Sequence, residues 1–317
     1  MKKTMMFLLC ILFAFLNSCA FISIPLDLRT RPLLEEEIEG RGRNKILILN
    51  ISGVITNTQE RSMLREKHAP SVVARLKEEL DKAAKDKHIK AVILKINSPG
   101  GTVTASDIIY QEIKKFKQKK KVPVVACLMD VATSGAYYIA NASDTIIAHP
   151  TTITGSIGVI VMKLNIKGLM DKLGVAEESI ASGDKKDILS PFRSMTEEEN
   201  KIMQEIINSM YEKFLTAVDE GRKELSLETL RPLADGRIFT ADQALSHKMI
   251  DSIGYLDAAI FKAKKMADIT DARVVTYRRS GEYKNNIYSQ ATINLFSLGD
   301  NSPFEKLPVQ FMYLWNL

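Results

Sequence analysis

The run A-V-I-L-K-I-N-S-P-G-G, residues 91–101, decides the fold class. Its aliphatic stretch has no polar face and halts abruptly at Ser98-Pro99-Gly100-Gly101, as a fully buried strand of a parallel sheet reads. Beyond the turn, residues 103–118 set Ile109, Ile113 and Phe116 on one side of a helix. The same grammar holds on either side. K-I-L-I-L-N-I (45–51), closing at Ser52-Gly53, precedes a helical pattern over 70–86 with Val72, Val73, Leu76 and Leu80 in phase. V-P-V-V-A-C-L (122–128) and D-T-I-I-A (144–148) supply two more strands. Regular alternation of strand and helix predicts an α/β domain, a mostly parallel sheet with helices packed on it.

Composition agrees: 45% hydrophobic and 26% charged residues are ordinary for a globular α/β chain of 317 residues. The 44 Lys and Arg against 38 Asp and Glu make a mild basic excess that names no partner. K-K-F-K-Q-K-K-K (114–121) reads as the solvated last turn of a helix, where cations suit the helix dipole, and nucleic acid is not expected as a partner.

The N-terminus carries a charged Met1-Lys2-Lys3, an apolar run from Met5 to Leu16 and then Asn17-Ser18-Cys19. The run is too short for a bilayer span of about 20 residues and has the layout of an export signal. L-N-S-C (16–19) is similar to the lipobox of bacterial lipoproteins, with Cys19 as the lipidated residue. The competing reading is an uncleaved anchor, since apolar character resumes at Ala20 to Ile24. Both readings tether the rest of the chain to a membrane of the bacterial envelope, outside the cytoplasm. Of three cysteines only Cys127 lies beyond this segment, in an apolar run, so neither a disulfide framework nor a CxxC metal site is expected.

These signals divide the chain into a signal or anchor (1–19), a linker (20–43), a catalytic α/β domain (44–270) and a C-terminal extension (271–317). Within the domain a long helix opens at Thr196, with Glu199 completing a capping box. Its stripe Met203, Ile206, Ile207, Met210, Phe214 and Val218 reads as a core-facing side. In the extension V-V-T-Y (274–277) has strand character, and the aromatic tail F-M-Y-L-W-N-L (311–317) is open between packing on the domain, a second subunit and the membrane.

Chemistry concentrates at D-V-A-T-S-G-A-Y-Y-I-A-N-A (130–142), where a strand gives way to a small-residue helix at Ser134-Gly135. Ser134 is either a helix cap or a nucleophile, and a nucleophilic serine needs a neighbour to take its proton. The G-x-S-x-G elbow of α/β-hydrolases is absent, since A-T-S-G-A lacks the first glycine. A triad would draw on His68, His88, His149 or His247, of which only His149 follows a strand in the right region. A Ser-Lys pair needs an amine held neutral by desolvation. Lys186, in A-S-G-D-K-K-D-I-L-S-P-F (181–192), approaches an apolar turn, with Lys185 beside it. N-S-P-G-G-T (97–102) is either a tight turn or a backbone-donor loop for an oxyanion.

Together N-S-P-G-G (97–101), D-V-A-T-S-G-A-Y-Y-I-A (130–140), T-I-T-G-S-I-G-V-I (152–160), S-G-D-K-K-D-I-L-S-P-F-R (182–193) and A-D-G-R-I-F-T-A-D-Q-A-L (234–245) resemble, in order, the blocks of the signal peptide peptidase SppA (protease IV) family. The resemblance covers about residues 45–260 and corresponds to the short, single-repeat form. It implies a Clp-protease/crotonase-like fold and a serine peptidase with a Ser-Lys dyad and no cofactor or metal. Matched residue by residue, Ser134 is the nucleophile, Lys186 the general base through the pattern S-G-x-x-K, and Ser156 the residue that orients the lysine. Gly101 and Gly135 correspond to the oxyanion-hole donors. The family also implies a ring-shaped homo-oligomer, with sites partly built by neighbouring subunits, acting on extended apolar peptides such as remnant signal peptides. A lipid at Cys19 departs from the transmembrane anchor usual in that family. Two other functions compete: a crotonase-type acyl-CoA enzyme on the same fold, which an export signal disfavours, and a non-catalytic envelope scaffold, which an intact dyad disfavours.

Overall fold

The computed structural model describes residues 32–58, 70–279 and 312–314. In chain order these form β1 (Leu34–Gly40), β2 (Lys45–Ser52), α1 (Val72–Lys85), β3 (Ile89–Ser98), β4 (Gly100–Thr102), α2 (Val103–Lys120) and β5 (Val124–Thr133). Then come α3 (Gly135–Ala140), β6 (Thr145–Ala148), β7 (Ile153–Gly155), α4 (Lys167–Leu173) and α5 (Glu197–Gly221). The remainder is α6 (Leu227–Leu230), β8 (Ile238–Thr240), α7 (Ala241–Ser246), β9 (Ser252–Ile253), α8 (Leu256–Met266), β10 (Arg273–Arg278) and β11 (Met312–Leu314).

The aliphatic strands pair as their composition predicts. The main sheet runs β1-β10-β2-β3-β5-β6-β9, parallel throughout except at β1, which lies antiparallel on β10. Because successive side chains of a strand point to opposite faces, β2 sends Leu47, Leu49 and Ile51 to one core and Ile46 and Ile48 to the other. The first core lies under α1, α2, α3 and the C-terminal half of α5; the second is closed by Leu256, Ala259, Ile260 and Ala263 of α8. Each fully buried Leu, Ile or Val contributes about 1.5–3 kcal/mol relative to exposure.

Strand β5 fixes where the site will lie. Val125 to Leu128 pair with β6, whereas Val131 to Thr133 pair with β7. The sheet therefore forks at the carboxyl end of β5, and the next residue is Ser134. β7 continues antiparallel to β8, with Gly155 opposite Ile238.

Three expectations need correction. Residues 34–40, inside the segment read as a linker, form β1; its glutamates are carried by cross-strand pairs with arginines, Glu36–Arg278 at 2.6 Å and Glu37–Arg273 at 3.1 Å. Residue 270 is not a structural boundary, because β10 sits inside the sheet between β1 and β2. The V-V-T-Y strand reading holds there. The stripe of α5 is core-facing only in part: Met203, Phe214 and Val218 are buried, but Ile206 is 37% exposed. The capping box at Thr196 and Glu199 is formed as expected. Cys19, the rest of residues 1–31 and most of the C-terminal extension lie outside the described residues. Among those described, no helix is long and apolar enough to cross a membrane.

Candidate active site

Ser134 follows β5 directly, with φ 54° and ψ −119°. This is a left-handed region that a side chain enters at a cost of about 1–3 kcal/mol. The surrounding structure imposes it. The Ser134 N–H donates to the Gly155 carbonyl at 2.7 Å, and the Ser134 carbonyl accepts from Tyr138 N at 2.9 Å to start α3. The Ser134 side chain makes no capping hydrogen bond, so the cap reading of the sequence is not what the hydroxyl does. The residue is 1% exposed and borders a cavity of about 290 Å³.

The bond to Gly155 also sets the position of Ser156. That residue too has a positive φ (51°), its N–H donates to the Arg237 carbonyl at 2.7 Å, and it lines the same cavity as Ser134. Gly158, Val159, Ile160, Met162, Asp235 and Gly236 continue the wall. The cavity surface is therefore largely aliphatic, with two serine hydroxyls at its head.

The turn after β3 meets this point from the neighbouring strand. Asn97 bonds both Asp130 (Nδ2 to Oδ2, 2.8 Å) and the Val131 N–H (to Oδ1, 3.1 Å). The Ser98 hydroxyl donates to the Gly53 carbonyl at 2.6 Å and accepts from Gly100 N at 3.1 Å. These bonds seat Gly101 beside Gly135: a Cβ placed on Gly135 would lie 3.2 Å from the Gly101 nitrogen. Neither glycine has room for a side chain, since one on Gly101 would strike the Ile55 backbone and one on Gly135 the Ser106 hydroxyl. Asn97, Ser98 and Asp130 were not singled out from sequence, although they stand inside the two motifs that were.

The lysines are placed differently. Lys185 is bound to Glu198 at 2.6 Å, and this hydrogen bond raises its pKa above the ordinary lysine value. Lys186 next to it is exposed, makes no side-chain hydrogen bond or ion pair among the described residues, and is not among the residues lining the Ser134 cavity. Arg193 anchors the loop, donating to both Asp187 oxygens at 2.7 Å and to Glu199 at 2.6 and 2.8 Å. Those bonds depress both carboxyls, Glu199 to about 2. Of the histidines offered for a triad, none of those described lines the cavity: His149 bonds Thr151 at 2.9 Å and His247 meets the Phe239 ring edge to face, while His68 lies outside the described residues. Cys127 is buried in the sheet and its thiol is pushed up to about 12 by burial, consistent with an inert core residue. The described residues contain no cluster of metal-binding side chains.

Two family profiles match the chain: peptidase family S49 over residues 115–270 and Clp protease over residues 54–154. A protein of Enterococcus faecium that carries the name signal peptide peptidase SppA is 40% identical over 248 residues, covering 78% of this chain and 71% of that one. A Synechocystis protein named as a protease is 36% identical over 232 residues, covering 73% and 78%. The serine protease SPPA of Arabidopsis thaliana chloroplasts is 33% identical over 236 residues; these cover 74% of this chain and 34% of that protein, so the chain spans about a third of its length. With the mostly parallel sheet these matches give a Clp-protease-like fold, and the chain belongs to peptidase family S49, in the signal peptide peptidase SppA group, and is a serine peptidase.

Proposed function

We propose that the chain is a membrane-tethered endopeptidase that uses Ser134 and Lys186 to hydrolyse extended apolar peptides outside the cytoplasm, remnant signal peptides among them. The observation that carries this reading is the strained Ser134 turn at the head of a largely aliphatic cavity, with Ser156 on the same wall. The Ser134 hydroxyl attacks the carbonyl carbon of a bound peptide while Lys186, oriented by Ser156, takes its proton. The N–H groups of Gly101 and Gly135 receive the developing oxyanion. The C–N bond breaks, the departing amine takes the proton from the lysine, and water then hydrolyses the acyl-enzyme.

Lys186 reaches Ser134 in the assembled form, supplied by a neighbouring copy of the chain. This reading is supported by its exposed position outside the cavity and by the apolar surface around its segment: Ile160, Met162, Leu164, Leu169, Leu173 and Val175 are all exposed. A second copy covers that surface and shuts water away from the amine. An N-terminal lipid at Cys19 or an uncleaved anchor holds the assembly at the membrane.

The test is peptidase activity on an apolar signal-peptide-like substrate, read by mass spectrometry. Ser134→Ala and Lys186→Ala proteins should each be inactive, and a mixture allowed to co-assemble should regain a fraction of wild-type turnover. Persistent cleavage by either variant alone would remove the dyad, and a silent mixture with intact assembly would place both residues in one chain.

A further inference from the structure

Strand β5 outruns its neighbour at one point. In the β3–β5 ladder Ile96 stands opposite Leu128 and Ser98 opposite Ala132, so the single residue Asn97 faces Met129, Asp130 and Val131 together. β5 therefore carries a bulge shortly before Ser134, and a bulge bends its strand and re-aims the side chains beyond it. Here it takes β5 off β6, which pairs as far as Leu128, and onto β7, which pairs from Val131. The surplus is even, so the faces still alternate in phase, and Leu128 and Ala132 both reach the first core.

Backbone groups that a bulge releases from the ladder need other partners, and side chains supply them here. The Asn97 amide is two-pronged: Oδ1 accepts from the Val131 N–H at 3.1 Å, and Nδ2 donates to Asp130 Oδ2 at 2.8 Å. One partner is a donor and the other an acceptor, so the amide has a single orientation. From the β7 side the Thr152 hydroxyl, fully buried, donates to the Met129 carbonyl at 2.6 Å and lies 3.0 Å from that of Leu128. Neither Asn97 nor Thr152 is among the residues lining the Ser134 cavity. Gly101 follows Asn97 by four residues, and Gly135 follows Val131 by four. The Asn97–Val131 bond thus lies at the root of both arms that carry the glycines, and the Thr152 bond at the root of the arm that carries Ser134.

We infer that Asn97 and Thr152 are positioning residues of the peptidase reaction. Asn97 fixes the spacing of the Gly101 and Gly135 N–H groups and Thr152 the aim of Ser134, both through the bulge and without touching the substrate. The inference rests on the reading of Ser134 as nucleophile and of the two glycines as oxyanion donors. Its consequence is a loss confined to the chemical step. A slackened bulge shifts the donors relative to the developing oxyanion and leaves the apolar wall that holds the peptide in place.

The test uses the full chain, wild type beside Thr152→Val, Thr152→Ser, Asn97→Asp and the double variant Asn97→Asp with Asp130→Asn. Valine keeps the shape of Thr152 and removes the hydroxyl. The double variant reverses donor and acceptor across the pair and keeps the bond to the Val131 N–H. Thr152→Val and Asn97→Asp should each lower kcat about 10²-fold with KM within about twofold of wild type. Thr152→Ser and the double variant should each recover roughly tenfold of that loss. A peptide aldehyde, whose adduct with Ser134 puts the tetrahedral oxygen at the donors, should lose affinity in step with kcat/KM, while the matching peptide alcohol binds as it does to wild type. Equal losses for aldehyde and alcohol would make the staple a support of the fold alone and overturn the inference. Normal kcat in folded Thr152→Val and Asn97→Asp, with Ser134→Ala inactive, would overturn it too. Cleavage that survives Ser134→Ala would instead overturn the functional reading beneath it. Should the single variants not fold, Asp130→Ala decides, because Asp130 is exposed and its carboxylate orients the Asn97 amide. That variant should lower kcat about tenfold at constant KM, and unchanged kcat would overturn the inference.

Discussion

Ser134 follows a strand paired on both sides and precedes α3, every residue of which is buried. Lys186 lies beyond α4, a helix with no buried residue, in a loop fixed by ion pairs to the first turn of α5. The two halves of the proposed dyad are thus made by different physics. Ser134 and the two glycines are positioned by close packing, which tolerates little and transmits strain. The lysine is positioned by charge on a segment with an apolar surface that the single chain leaves uncovered. A backbone held at positive φ needs the first kind of support, and a long flexible amine whose environment changes on assembly can use the second.

The largest expected effect is on turnover and should be alike for the two halves. Ser134→Ala and Lys186→Ala should each lower kcat by about 10⁴–10⁶-fold, as for members of a catalytic unit. Thermal unfolding midpoints should stay near wild type. A Lys186→Ala protein with near-normal peptidase rate would break the pairing of the two regions.

Stability should separate them next. Leu94 is fully buried in β3, and Leu94→Ala should cost about 2–5 kcal/mol by urea denaturation. Leu173 is 69% exposed in α4, and Leu173→Ala should fall within about 0.5 kcal/mol of wild type for the unassembled chain. Equal losses at the two positions would show the α4 segment to have a core of its own.

Arg193→Met removes the bridge to Asp187 and Glu199 while leaving the Ser134 turn untouched. A displacement of the lysine loop by about 1 Å should cost about 10²-fold in kcat. Arg193→Lys should recover only part of it, because an ammonium cannot reproduce the forked contacts. Normal kinetics in Arg193→Met would sever the ion-pair anchor from catalysis.

The smallest effect is with pH. Glu199 has a folded-state pKa near 2, depressed from 4.5 by its bonds to Arg193 and the Thr196 N–H. A depressed carboxyl contributes stability that is full above its unfolded value and is lost as pH falls through the folded one. Between about pH 4.5 and about pH 2 the 185–193 loop should gain hydrogen exchange before the β3–β5 core does. Simultaneous release of loop and core would contradict separate anchoring.

Legibility in the sequence follows the same division. The parallel strands were readable because burial on both faces writes continuous aliphatic runs such as I-L-I-L and A-V-I-L. The two glycine turns were readable because close backbone approach admits only small residues. β1 was hidden, since L-E-E-E-I-E-G has an exposed edge strand's charges, satisfied by arginines more than 230 residues away, at |i−j| 236 for Arg273 and Glu37. β11 was hidden for a related reason: three residues carry no periodicity, and their partners, Gly100 to Thr102, lie far back in the chain. Lys186 was chosen over Lys185 by motif alone. The bond from Lys185 to Glu198, thirteen residues on, is a contact that no spacing could have given.

The place of β10 bears on how the molecule comes to exist. The Thr276 hydroxyl donates to the Ile48 carbonyl across 228 residues, and β10 is the strand that covers the outer edge of β2. Such long-range parallel pairing is slow, because loop-closure entropy is lost before contacts repay it. Until β10 has emerged, the growing chain carries an unpaired edge along K-I-L-I. Bare aliphatic edges of this kind recruit other strands. A premature stop ahead of residue 273 should therefore leave a fragment whose β2 edge stays open to strand addition in place of a smaller enzyme.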